Sequence, residues 1–353
     1  MKKLFAFVMA IMLLSVLAAG CGPKTPGTET PAPGTETPAA GTEAPAADSV
    51  KTGLAVVTTV SDSTDAAADT AGLVQGYSTI AAVTVAADGK IVACVIDAAQ
   101  TKVNFDATGA VTTPLDTEFQ TKNELGDAYN MRGQSGIGKE WNEQAAAFAA
   151  YVVGKTADEV QGIAVTEDGH ASDADLTASV TVHVVDFITA VTKAVANAKE
   201  LGASSGDTLS VGTVTSISDS QNATADAEGL VQVYNNYAVI TRNGEGTITS
   251  CVIDASQAKV TFDAAGKITS DISAAVQTKD ELGDAYNMKG QSGIGKEWYE
   301  QAAAFAAYVT GKTPAEVAGI AVDAEGHATS SDITASVTVH IGDFLAAIAK
   351  AAK

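Results

Sequence analysis

The chain is written twice. Cys94 corresponds to Cys251, Trp141 to Trp298, Thr181 to Thr338 and His183 to His340, always 157 positions apart, so residues 50–196 align on 207–353 without a gap. Agreement is densest over 121–151 against 278–308, where 28 of 31 positions are identical and Asn123/Asp280, Arg132/Lys289 and Asn142/Tyr299 are the exceptions. Each copy has the length of an ordinary domain, and the period is far too long for a solenoid. A fold available to one copy must be available to the other, and a site built in one is built in both.

Hydrophobic period reads the shared fold. Short or alternating apolar runs at 78–85, 90–97 and 101–105, split by Ala87-Asp88-Gly89 and Asp106-Ala107-Thr108-Gly109, predict an antiparallel meander with Gly-containing turns. Trp141, Ala145, Phe148, Ala149 and Val152 fall on one face of a helix that opens after Gly138 and stops at Gly154. Thr156 and Glu159 form a capping box for a short helix. Ile163-Ala164-Val165 reads as a strand turning at Asp168-Gly169, and Phe187 to about Lys199 as a helix with Asp186 at its N-cap, Asp343 playing that part in the second copy. The expectation is an α+β fold: two tandem modules, 50–200 and 207–353, each an antiparallel sheet with helices packed on it. Leu201 to Gly206 reads as a short joint.

The first 49 residues differ in kind. Lys2 and Lys3 precede an apolar run, Leu4 to Leu17, shorter than the roughly 20 residues a bilayer span needs, so residues 1–20 read as a secretory leader. Leu17-Ala18-Ala19-Gly20-Cys21 looks like a bacterial lipobox, which implies a diacylglycerol on the Cys21 sulfur; ordinary cleavage and free secretion is the other reading. Residues 21–49 then comprise the lipidated cysteine and a Thr/Pro-rich linker holding Pro23, Pro26, Pro31, Pro33, Pro38 and Pro45. With little to bury, such a stretch is expected to be an extended, solvated spacer.

Composition removes several function classes. With 42 acidic against 21 basic residues the net charge is −21, and loss of Lys2 and Lys3 with the leader makes it more negative. Polyanions are repelled, so no nucleic-acid role is expected, and the charge favours cationic or metal-oxide-like partners over anionic ones. Three cysteines and four histidines without ligand spacing make neither a disulfide framework nor a transition-metal site. No haem-attachment Cys-x-x-Cys-His and no base beside a nucleophile is evident.

Three segments carry candidate chemistry. Gly133-Gln134-Ser135-Gly136-Ile137-Gly138-Lys139 fits part of a phosphate-binding loop, but Glu140 follows where a magnesium-holding Ser or Thr would stand. Its glycines leave backbone N–H groups to meet an anion or a ring edge, or simply make a tight turn before a helix; the second copy repeats them as Gly293, Gly295 and Lys296. Trp141 and Trp298 are the only tryptophans, either core residues or rings that face a planar ligand, and the same question attaches to Tyr129 and Met131, repeated as Tyr286 and Met288. Cys94 and Cys251 read as small core residues. The third segment is Asp175-Leu176-Thr177-Ala178-Ser179-Val180-Thr181-Val182-His183, repeated as Asp332-Ile333-Thr334-Ala335-Ser336-Val337-Thr338-Val339-His340. Extended, it would turn Val180, Val182 and Val184 one way and Thr181 and His183 the other.

This last segment resembles the flavinylation motif of FMN-binding domains, an Asp six residues before a Thr preceded by small residues. Asp175 and Asp332 match the motif Asp, Ser179 and Ser336 the small residue, and Thr181 and Thr338 the acceptor. Ala178 and Val180 depart from the common form; a register shifted by two would make Ser179 and Ser336 the acceptors, but would place Ser330 where the second motif Asp belongs. In that family a magnesium-dependent flavin transferase takes FMN from FAD and leaves it on the Thr hydroxyl as a phosphodiester. Lipobox, Thr/Pro spacer and two modules together resemble the PplA-type flavin lipoproteins of Gram-positive extracellular electron transfer, over almost the whole mature chain. The resemblance implies two covalent FMN groups, a flavin transferase as partner, a membrane quinol-linked electron donor, extracellular electron acceptors, and a lipid anchor at Cys21 on the extracytoplasmic face of the cell membrane. It implies a redox carrier rather than a substrate-specific enzyme. Lys139, Lys296, His183 and His340 are then candidate partners of flavin, with plain surface roles as the alternative. A surface lipoprotein for reversible small-molecule binding or adhesion, without covalent flavin, is the rival reading.

Overall fold

The computed structural model describes residues 48–353; the leader, Cys21 and the linker as far as Ala47 lie outside the described residues. The first copy opens with three antiparallel strands, β1 (Ser49–Thr59), β2 (Gly72–Val85) and β3 (Ile91–Phe105). Five helices follow: α1 (Lys122–Leu125), α2 (Trp141–Val152), α3 (Ala157–Gln161), α4 (Ala174–Thr177) and α5 (Val185–Asn197). Strand β4 (Lys199–Ser204) leads into the second copy, β5 (Thr208–Ser216), β6 (Gly229–Arg242) and β7 (Ile248–Phe262), with α6 (Lys279–Leu282), α7 (Trp298–Val309), α8 (Pro314–Ala318), α9 (Ser331–Thr334) and α10 (Gly342–Ala351). The fold is α+β. Its two sheets run β3-β2-β1-β4 and β5-β6-β7.

Alternation along the strands sorts side chains into four layers. Leu54, Val56, Ile80, Ala82 and Ala99 of one sheet meet Leu209, Tyr237 and Val239 of the other in a central core. Ala55, Ala81, Val83, Ile96 and Ala98 point outward, under α2 and α5, with Trp141, Phe148 and Phe187. The second copy repeats that outer core with Trp298, Phe305 and Phe344. Helix, sheet, sheet and helix therefore stack in order. Gly53 and Gly212 let α5 and α10 lie directly on β1 and β5: a Cβ at either glycine would overlap the carbonyl oxygen of Ala194 or Ala347.

The copies share their central core and pair as two halves of an internal two-fold. Phe105 stacks on Phe262, its own counterpart, and Ser78 Oγ accepts from Asn235 Nδ2, again its counterpart, at 3.2 Å. Off the axis, contacts come in exchanged pairs. Val111 N–H donates to Asn222 Oδ1 and Ile268 N–H to Asp65 Oδ1, both at 2.8 Å. Lys350 pairs with Glu124 and Lys193 with Glu281. Ala66 N–H donates to Gly266 O and Ala223 N–H to Gly109 O.

Several local expectations change. Runs 90–97 and 101–105 are one continuous strand, β3, because its middle is buried on both faces and has no alternation to break. Ile163–Val165 forms only a bridge, Val165 to Ala171. Asp186 and Asp343 sit inside their helices, whose N-caps are Val184 and Ile341. Residues 199–204 are strand β4, paired with β1, rather than a plain joint. The segment 175–183 is a short helix followed by a loop, not an extended strand, yet Val180, Val182 and Val184 are all buried and His183 is exposed, so the alternation survives without the strand.

Candidate functional site

The glycine loop and the motif threonine meet through one glutamine of α2. Gln144 lies on the apolar face of α2, one turn after Trp141, and is fully buried. Its Oε1 accepts from Thr181 N–H at 2.7 Å, from the Thr181 hydroxyl at 3.1 Å and from Val182 N–H at 3.2 Å. Its Nε2 donates to Ser135 Oγ and to the Lys139 carbonyl, both at 3.2 Å. The second copy repeats the arrangement: Gln301 Oε1 accepts from Thr338 N–H and hydroxyl at 2.7 and 3.1 Å, and Nε2 donates to Ser292 Oγ and Lys296 O. Thr181 is half-buried and Thr338 exposed. Each hydroxyl gives its proton inward and keeps its lone pairs free.

Ser179 and Ser336 are engaged differently. Their hydroxyls donate back to Leu176 O and Ile333 O at 3.2 and 3.3 Å, inside one turn. Asp175 and Asp332 stand exposed in the first turns of α4 and α9, their N–H groups taken by Asp173 Oδ1 and Ser330 Oγ.

The loop itself is closed to an anion at the helix start. Glu140, nearly fully buried, accepts Met131 N–H and Arg132 N–H on its two oxygens, each at 2.8 Å, while its own N–H is capped by Glu143 at 2.7 Å. A carboxylate thus already occupies the place where a phosphate would neutralise the helix dipole. Gly138 N–H bonds Ser135 O, and Gly138 and Gly295 take left-handed backbone, φ 63° and 64°. Gly136 and Gly293 are exposed and have open space where a Cβ would stand. Lys139 and Lys296 are half-buried and bring their backbone carbonyls to the site.

Trp141 and Trp298 are core residues, set edge-to-face on Phe187 and Phe344 at 5.7 and 5.6 Å. Their other neighbour is unexpected. The Lys122 ammonium, buried, stands 4.7, 4.6 and 4.9 Å from the ring centres of Tyr77, Tyr129 and Trp141 and donates to Tyr77 Oη at 3.1 Å. Lys279 repeats this with Tyr234, Tyr286 and Trp298, donating to Tyr234 Oη at 2.8 Å. Burial lowers these amines to about 8 and about 7, against the opposing pull of Asp97 and Asp254. Met131 and Met288 pack half-buried against the outer cores, Gln301 Nε2 lies 3.9 Å from Met288 Sδ, and the cage wall Trp141 and the threonine's partner Gln144 stand one turn apart on α2.

All four histidines form two pairs: His183 on His170, ring centres 4.3 Å apart, and His340 on His327 at 4.1 Å. Among the described residues no group of three or more potential ligands could hold a metal, and no helix is long and apolar enough to cross a membrane. Burial pushes the Cys94 and Cys251 thiols up to about 12, which disfavours the thiolate form.

Gln144 had a readable signal, a lone polar residue in the apolar stripe of α2. Lys122 had half of one: Thr121 and Glu124 form a capping box that places α1, but the rings around its ammonium come from β2, the 3-10 turn Gly126–Tyr129 and α2. No protein-family model matches the chain, and neither does any curated protein or solved structure.

Proposed function

We propose that the protein is a lipid-anchored, extracytoplasmic electron carrier with one FMN joined through phosphate to Thr181 and another to Thr338. The observation that supports this most directly is the identical holding of both threonines by Gln144 and Gln301, with Ser179 and Ser336 tied into turns. Flavin would supply the redox chemistry, and the chain need only hold and tune it.

The residues fit such a group in three respects. Each threonine hydroxyl stands at the surface with its proton directed to a buried amide oxygen. One turn along the helix from the glutamine that holds it, Trp141 or Trp298 joins a cluster of tyrosine rings. Beneath that cluster is an ammonium with donors to spare. In this reading the partners are a flavin transferase, a membrane quinol-linked donor and extracellular acceptors.

The experiment is intact-protein mass after coexpression and export with a flavin transferase. The wild type should gain two FMN phosphodiester increments, Thr181→Val should keep one, and the double variant with Thr338→Val none. A protein that stays unmodified, or keeps both groups in the double variant, overturns the proposal. The rival, a reversible small-molecule binder, draws support from a groove of about 490 Å³ beside Cys94 and Asn142; it predicts saturable binding with no gain in mass.

A further inference from the structure

Lys122 and Lys279 are 5% and 4% exposed, and no carboxylate forms an ion pair with either among the described residues. An ammonium has three N–H donors. Each of these spends one on a tyrosine oxygen; Asp97 and Asp254 act on the charge only through space, and the ring faces around it attract the charge but satisfy it incompletely. A buried cation short of acceptors is costly. The same shortfall appears in both copies, at the same place, and in each the tryptophan wall stands one turn from the glutamine that holds the threonine.

Desolvation would be met in full by an electron-rich group brought to the cage. Tyr129 covers one side of it in the first copy and is itself half-buried. Glu140 fixes the backbone of that cover through Met131 N–H and Arg132 N–H. Asn130, with φ 60°, turns the chain between Tyr129 and Met131. Tyr286, Asn287, Met288 and Glu297 repeat the construction. The cage is therefore an aromatic-walled cation held, through Trp141, from the same helix as Gln144 and the threonine it bonds.

We propose that Lys122 and Lys279 are the groups that recognise the electron-rich edge of a planar ring, and that they favour its reduced, more negative form. The inference rests on the covalent-flavin reading for the identity of that ring. It also moves the cationic role from Lys139 and Lys296 to two lysines on other elements.

The test uses the full chain, flavin-loaded, in a Thr338→Val background so that one site reports. Intact mass first establishes attachment. Spectroelectrochemical titration of Lys122→Met should then show at least a tenfold weaker preference for the reduced form, about 30 mV more negative for a two-electron couple. Lys122→Arg, which keeps the charge, should recover most of it, and Lys122→Gln substitutes if the methionine variant does not fold. Unchanged potential in a variant that carries its flavin overturns the inference while leaving the attachment standing.

If the wild type carries no flavin, the attachment fails, and the cage is judged by titration with free FMN, followed by quenching of Trp141 and Trp298 fluorescence. Binding that weakens tenfold or more in the Lys122→Met, Lys279→Met double variant upholds the role of the lysines. Absence of binding, or binding indifferent to both substitutions, overturns it.

Discussion

Phe105 and Phe262 hold the same position in the two copies, and their rings lie on one another, centres 4.3 Å apart and 21° from parallel. Each ring is fully buried, and each closes its own glycine: a Cβ on Gly72 would strike Phe105, and one on Gly229 would strike Phe262. The copies are thus joined through their cores rather than through a flexible joint.

Joining of this kind predicts cooperative unfolding. Phe105→Ala should cost about 3–5 kcal/mol, and Phe262→Ala about as much, because each removes one partner of the same stack. Calorimetry should show a single transition moved down for the whole chain. Two transitions, with only one displaced, would contradict the shared core.

Glycines separate the scaffold from the loop. Gly53→Ala and Gly212→Ala push a helix off its sheet and should cost about 1–3 kcal/mol or more. Gly133→Ala and Gly136→Ala meet open space and should change stability by less than about 0.5 kcal/mol. Urea denaturation of the four variants checks the contrast.

Asp254 is buried and Asp280 stands beside it at the surface; desolvation holds both carboxyls above the usual range, and the charge of Asp280 raises Asp254 further. Where the first copy has Asn123, whose Nδ2 donates to Ile96 O at 2.9 Å, the second has an acid. Because the folded pair retains protons that unfolded carboxylates release near pH 4, its contribution to stability is present below that pH and is lost as pH rises toward neutrality. Asp280→Asn should raise the melting temperature above about pH 7 and have little effect near pH 4. A melting temperature that responds equally at both pH values would refute this.

Gln144→Leu leaves Thr181 N–H and Val182 N–H without an acceptor, at a cost of about 1–3 kcal/mol, and frees the Thr181 hydroxyl to turn. In the proposed function it should lose the flavin increment on Thr181 while Thr338 keeps its own. Gln144→Glu, which preserves the acceptor, should load more fully than the leucine variant. Mass spectrometry beside thermal melts separates these effects; full loading of a folded Gln144→Leu protein would remove the glutamine from any positioning role.

Much of the scaffold was legible because it depends on neighbours in sequence. The stripe on α2, the capping box at Thr156 and Glu159 and the turn at Gly89 all arise within a few residues. The strand at 163–165 was not, since three apolar residues satisfy either state until a partner strand is present, and only Ala171 answers. The N-cap at Asp186 failed for a similar reason: Val184, buried in the core, set where α5 begins. Trp141 was legible as a ring of consequence, but not as a wall around Lys122.

Duplication, class of fold and the two threonines with their surrounding motif follow from residue order alone, because identity and period are properties of the string. The four-layer stack, the internal two-fold, the glutamine behind each threonine and the caged lysines do not. They join side chains tens of residues apart, Tyr77 with Lys122 and Gln144 with Thr181, and such partners are chosen only when sheets and helices close on one core and every buried donor must find what lies within about 3 Å.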